Sequence, residues 1–540
     1  MPEFLWKILS EQYAGYIIIF RELREHKVRG REQATAVQTQ GRNCKEKNMQ
    51  KKKGMALMAA ILAVTALAGC TKGTGQGSVG AKLDPDNPVS LTVWHYYNGA
   101  QQAAFDELVS EFNATEGKEK GIYVEGYSQG SVSDLEKAIS DSVAGEVGSQ
   151  EMPDIFSTYA DTAYAIQKQG KLTDLTKYFT QKELDEYVDS YIQEGYFGGD
   201  DALYLFPTAK STEVMMINTT DWEPFAKETG VTFEDLKTVE GVVDVAQKYY
   251  EWTDAQTPDV PDDGRAFYGR DSMSNYFVIG MKQMGIDLFD AEDGKVTIRA
   301  EKKQIHRLWE NYYVPYVKGY FTGLGKFRSD DVKTGDILAY TGSTASAMYF
   351  PDQVVKGNDS EAIDYKVLPV PIMEGGEDIN VQQGAGMAVT SSDEQHEYAA
   401  CEFLKWFTAK ENNLRFVCES AYFPVKKEAN SMEALKEVVQ KDNLSIDSKA
   451  YDCLSCVFDD YDTVTFYTPK CFENSYSARK ILDYNLSDKA VADKQAIDKA
   501  VAGGKSREEA QASYITEEAF ETWYQEFDQA LQEAANPQNP

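Results

Sequence analysis

The sequence predicts an α/β protein built as two lobes, and three observations carry that expectation. From residue 89 to 159, strand alternation and helical periodicity take turns, as in a β-α-β-α-β run forming a parallel sheet. About 470 of the 540 residues follow an N-terminal leader, too many for one small core and comfortable for two. In "ALYLFPTAKSTEVMMIN", Pro207 interrupts two strand-like runs, so the chain is expected to pass between lobes there.

The leader is the stretch "KKKGMALMAAILAVTALAGC", Lys51 to Cys70. A basic head, an apolar run from Met55 to Leu67 and the small residues Ala68 and Gly69 have the layout of a secretory signal peptide. The apolar run falls short of the roughly 20 residues that cross a bilayer. "LAGC" resembles the lipobox of bacterial lipoproteins, which implies a diacylglycerol on the Cys70 thiol and cleavage before it. Residues 1–48 fit no part of such a signal. Synthesis is therefore expected to start at Met49, the alternative being a genuine cytoplasmic extension. Residues 71–88, rich in Gly, Pro and polar side chains, read as a flexible tether.

Folding is expected to begin with "VSLTVWHYY", where Leu91 and Val93 alternate with polar neighbours. Phe105, Leu108, Val109 and Phe112 fall at helical spacing, and Ile122 and Val124 return to strand alternation. "SDLEKAISDSV" is helical, with Ser133 as the expected N-cap, and "PDIFSTY" is the third strand. Helical stretches follow over 232–250 and 273–285, then strands at "STASAMYFP", "YKVLPVP" and "GAGMAVTSS". "HEYAACEFLKWFTAKENNLRFV" is helical, with Ala399, Phe403, Leu404 and Phe407 on one stripe, and charged amphipathic helices run from Ser475 to the end. In a parallel sheet, ligands bind beyond the carboxyl ends of the strands. Those ends are Tyr96-Tyr97-Asn98, Tyr127-Ser128-Gln129 and Tyr159-Ala160-Asp161, each with tyrosine and hydrogen-bonding groups.

Composition narrows the partners. A net charge of -32 repels phosphate backbones and argues against nucleic acid. Four histidines, with "CLSC" (Cys453 to Cys456) lacking a second such pair, give no basis for a metal site or any cofactor. Cys401, Cys418, Cys453, Cys456 and Cys471 are expected as thiols or in one or two disulfides.

The order of "LTVWHYY", "MPDIFSTYADTAYAIQKQGKLTDLT", "LYLFPTAKSTEVMMIN", "YTGSTASAMYFP", "YKVLPVP", "GAGMAVTSS" and "AYFPV" resembles the sugar-type extracellular solute-binding proteins of ABC importers. The resemblance spans most of the mature chain. It implies a periplasmic-binding-protein-like clamp: two lobes, each a mostly parallel sheet flanked by helices, joined by hinge strands. Lobe 1 is then expected over 89–207 and 373–428, and lobe 2 over 208–372 and 429–540. It also implies capture of a sugar without catalysis, delivery to ABC permease subunits, and a monomer moored outside the cell by lipid on Cys70. The chain departs from the pattern where several members carry tryptophan, having Thr158 and Tyr159 at one place, Phe350 and Asp352 at the other.

A sugar needs rings for its C–H faces and carboxylates or amides for its hydroxyls. The residues expected to supply these are Tyr96, Tyr97, Asn98, Gln101, Tyr159 and Asp161. Asp161 follows "PDI" where the family places an acidic sugar ligand. Lys210, Ser211 and Glu213 lie near the crossing, with Tyr349, Asp352, Gln382, Gln383 and Tyr422 beyond it. The plainer roles are core packing for Tyr96 or Tyr97, a helix cap for Asp161, and a solvent-edge pair of Glu213 with Lys210. Trp94 is expected in the core. Two other classes stay open at this point: a surface glycosidase, which needs two carboxylates about 5–10 Å apart, and a sensor or adhesin using the same clamp.

Overall fold

The computed structural model describes residues 82–537, apart from 198–200, 293–294, 358 and 462. The signal peptide and Cys70 lie outside the described residues.

Strand β1 (Val89–His95) runs parallel to β2 (Ile122–Ser128) on one side and to β3 (Ile155–Thr158) on the other. Helix α1 (Gly99–Ala114) connects β1 to β2, α2 (Val132–Ala144) connects β2 to β3, and α3 (Ala160–Gln167) follows β3. All four periodic apolar residues of α1 are buried, and so are Leu91, Val93 and Trp94 of β1. Ser131, not Ser133, caps α2: its extended backbone precedes the helix and its side chain accepts from Asp134 N at 3.2 Å. Ser133 already lies inside the first turn, where a side chain cannot cap.

The chain then builds a second sheet from β4 (Glu213–Asn218), β5 (Tyr268–Arg270), β6 (Ala339–Ser343) and β7 (Tyr365–Pro369), in the order β7-β4-β6-β5. Here the expectation of a mostly parallel sheet needs correcting. β4 is antiparallel to both β7 and β6, and only β5 and β6 run parallel, so this sheet is mixed. The connections explain it. Between β4 and β5 the chain inserts helix α4 (Val239–Asp254), and between β5 and β6 it inserts α5 (Met273–Gln283) and α6 (Lys302–Val317), so the β5–β6 pair alone is a crossover unit. "STASAMYFP" is also corrected: after Ser343 the chain turns into a 3₁₀ helix, Thr344–Tyr349.

A short strand, β8 (Ile379–Val381), leads back to the first sheet, where β9 (Gly386–Val389) pairs antiparallel with β3. Helices α7 (Glu394–Phe407) and α8 (Lys410–Ser420) follow, broken at Thr408. Phe403 and Phe407 meet Phe105 and Phe112 of α1 in edge-on ring contacts, and Phe416 meets Phe407 in the same way, which seals the first lobe. The chain returns to the second lobe with α9 (Met432–Lys441), α10 (Ser448–Asp460) and β10 (Thr465–Tyr467), the last parallel to β8. Helix α11 (Ser475–Ala502) buries Ala478, Leu482, Leu486 and Ile497 against α5, α6 and α12 (Glu517–Ala535). Cys401, Cys418, Cys453 and Cys471 form no disulfide.

Candidate functional site

Three segments cross between the sheets. Ser211 and Gln383 exchange backbone hydrogen bonds of 2.8 and 3.0 Å, and Lys210 N donates to Phe423 O at 3.1 Å. Gly384 makes the crossing tight. Its φ is +99°, and a Cβ there would stand 2.7 Å from Ala209 O and 2.9 Å from Lys210 Cα. Only glycine fits such a conformation without strain.

Beside the crossing opens a crevice of about 700 Å³, counted out to open solvent. That is within the usual size for a small-molecule site. One wall comes from the first lobe. Tyr159 ends β3 as the N-cap residue of α3, and Asp161 sits in that helix's first turn with its Oδ1 accepting Thr162 N at 2.8 Å. Tyr96 and Tyr422 share a hydrogen bond of 3.1 Å next to this wall. Burial lifts the phenols of Tyr96, Tyr159 and Tyr422 above their usual range, with repulsion from Tyr422 adding to it for Tyr96 and from Tyr159 for Tyr422, so all three stay neutral and able to donate.

The other wall combines charges and amides: Glu194 beyond the short helix Asp189–Gln193, Asn275 on α5, Gln382 and Gln383 before Gly384, and Arg479 on α11. Lys210 Nζ meets Glu194 Oε2 at 2.5 Å and Gly384 O at 3.1 Å, and is about 2% exposed. Gln382 Nε2 donates to the same Glu194 oxygen at 2.9 Å. Behind them Glu213 pairs with Arg270 at 2.8 Å. Burial opposes the charge of Arg479, but Asp161 and Asp483 more than offset it and hold the guanidinium above its usual range.

The fourteen expected residues thus separate. Tyr159, Asp161, Gln382 and Gln383 line the crevice. Tyr96 and Tyr422 adjoin it, and Tyr349, half exposed at the end of the 3₁₀ helix, lies close enough to raise the Tyr422 phenol further. Lys210, Ser211 and Glu213 are buried at the crossing, and Glu213 pairs with Arg270 rather than standing at a solvent edge with Lys210. Four residues sit elsewhere. Tyr97 packs in the core on His95, Phe105 and Phe416. Asn98 staples its loop to Tyr96 O and Gly130 O, and buried Gln101 reaches toward Ser420 O at the end of α8. Asp352 is an exposed partner of Lys449. Sequence reasoning missed Glu194, Asn275 and Arg479. The last two lie 204 residues apart, and nothing local marks either.

The profile of the bacterial extracellular solute-binding proteins matches residues 107–444, more than half of the chain. The chain belongs to that family. Its members bind solutes rather than transform them, which sets this solute-binding protein apart from glycosidases. Solved structures share its fold. The cyclic α-maltosyl-1,6-maltose binding protein of Arthrobacter globiformis superposes with a TM-score of 0.55 at 18% identity, covering 83% of this chain and 100% of the other. An ABC substrate-binding protein of Listeria monocytogenes in complex with cycloalternan gives 0.58 at 16%, covering 82% and 99%. UgpB of Mycobacterium tuberculosis in complex with glycerophosphocholine gives 0.58 at 18%, covering 83% and 99%. No curated protein sequence matches the solute-binding protein significantly.

Proposed function

We propose that this solute-binding protein captures a mono- or oligosaccharide in the crevice and delivers it to an ABC permease. The observation that carries the reading is the pairing of neutral phenols, Tyr96, Tyr159 and Tyr422, with Asp161 and the amides of Gln382 and Gln383. Rings suit the C–H faces of a sugar, and the carboxylate and amides suit its rim. Two of the three structures compared above hold or are named for cyclic glucans, which supports the same class. On this reading the lobes are 89–207 with 373–428, and 208–372 with 429–540. Solute closes them about the crossing, lipid on Cys70 moors the protein outside the cell, and it works as a monomer.

The test is a panel of neutral sugars with glycerophosphocholine as the contrasting solute, read by melting temperature and tryptophan fluorescence. A bound solute at 100 times its Kd stabilises by about 2.7 kcal/mol. A rise with sugars is expected. A rise with glycerophosphocholine alone would replace the sugar reading. Anchoring is tested apart: Cys70→Ala should abolish labelling by a fatty acid and release the protein from membranes.

A further inference from the structure

Behind the crevice wall runs a line of buried polar groups. Asn275 Nδ2 donates both to Glu213 Oε1 and to Gln383 Oε1, each at 2.9 Å. Both amide hydrogens are thus committed, and Asn275 Oδ1 is left to accept from Arg479 Nη2 at 3.1 Å. Arg270 Nη2 fixes the other Glu213 oxygen at 2.8 Å, and Asn380 Nδ2 ties down the Glu213 backbone carbonyl at 2.9 Å. Glu213 and Asn275 are each 3% exposed, so water offers no substitute. A flipped Asn275 amide would press its oxygen on a buried carboxylate. Its orientation is set by the carboxylate, not chosen by the arginine.

Arg479 carries five donors in a planar fork. Among the described residues the bond to Asn275 is the fork's one hydrogen bond, and no carboxylate closes an ion pair on it. Asp161, Asp483 and Glu136 nevertheless lie near enough to favour its charge. The guanidinium is therefore held at one corner and open toward the crevice, facing a lobe that presents Asp161. A hydroxyl between them is satisfied twice, accepting from arginine and donating to aspartate. A carboxylate or phosphate there would be repelled by Asp161, and an ether would offer no donor to the Asp161 oxygen that Thr162 N leaves free.

We propose that Arg479 is the specificity-determining residue of the crevice, selecting a neutral hydroxyl, and that Asn275 and Glu213 are positioning residues that aim its fork. This rests on the crevice being the solute site. Two measurements separate the parts. In solute-free protein, arginine side-chain NMR should show slow rotation of the Arg479 Nη2 group, made fast by Glu213→Gln. Asn275→Ser serves as a second variant should Glu213→Gln fold poorly. Free rotation in the parent overturns the relay. With maltotriose and a panel of neutral di- and trisaccharides, Arg479→Lys should lose at least about tenfold in affinity with an unchanged melting temperature, the scale of one lost charged hydrogen bond. Glu213→Gln added to it should weaken binding no further. Equal binding by Arg479→Lys, or an additive double variant, overturns the proposal. A parent that binds no sugar of the panel sinks the underlying reading and the role of Arg479 with it, leaving the NMR result to decide the relay alone.

Discussion

The two walls of the crevice are assembled in opposite ways. The first lobe offers Tyr159 and Asp161 from one strand end, and adds Tyr96 from the neighbouring strand. The opposite wall joins Asn275 and Arg479 of the second lobe to Gln383 beside the crossing, three distant parts of the chain held by hydrogen bonds that span 108 and 204 residues. A wall made at strand ends follows from local pattern. A wall made by tertiary convergence depends on which helix faces which, and only packing settles that.

The deepest cut at this contrast falls where the walls meet. Lys210→Met would strand Glu194, which is 9% exposed, without its cation. The expected loss is about 3–5 kcal/mol of stability, read from the denaturant midpoint, and restored in part by Glu194→Gln in the same chain. Asp161→Asn acts on binding instead. Affinity for the preferred solute should fall about 10–100-fold with little change in melting temperature, the size of one charged hydrogen bond.

Acidification separates the lobes more gently. Burial lowers the His95 pKa to about 4 in the folded chain from an ordinary 6.5, so the first lobe should lose stability as pH falls through that window. Burial raises Asp271 in the second lobe to about 6 from 3.8. Its contribution is present in full below about 3.8 and is lost as pH rises through 6. His95→Gln should therefore flatten acid destabilisation, whereas Asp271→Asn should be more stable than the parent at pH 7 and equal to it near pH 4. The His95 shift amounts to about 3 kcal/mol at most, and solvent screening makes that of exposed Asp271 smaller, both visible as crossing pH profiles of the midpoint. The smallest effect is expected from Asp352→Asn. Its exposed pair with Lys449 should contribute less than about 1 kcal/mol and nothing to affinity.

Much of the first lobe was legible because its helices carry clean apolar periods. Phe105, Leu108, Val109 and Phe112 gave both the helix and its buried face. The second sheet was less so, since the apolar runs in "STEVMMIN" and "YKVLPVP" mark strands but are silent on their direction. "STASAMYFP" misled because small residues suit a strand and a tight turn equally, and a capping bond from Ala345 N to Ser343 Oγ decided for the turn. At the site, Tyr96 and Tyr97 had the same local pattern. Past the end of β1, one turns toward Tyr422 beside the crevice and the other into the aromatic core. Glu213 read as an edge charge because its partner, Arg270, lies 57 residues downstream.

The cysteines have a practical consequence. Cys401, Cys418 and Cys453 sit inside the core, and burial pushes the Cys418 thiol up to about 12 and holds the other two well above the usual thiol range. A thiol kept protonated and out of reach is a poor target for oxidants or alkylating agents. Each molecule therefore carries an internal tamper seal. In native protein these three thiols should ignore iodoacetamide, and the first chains to react at them would be those whose cores have come apart.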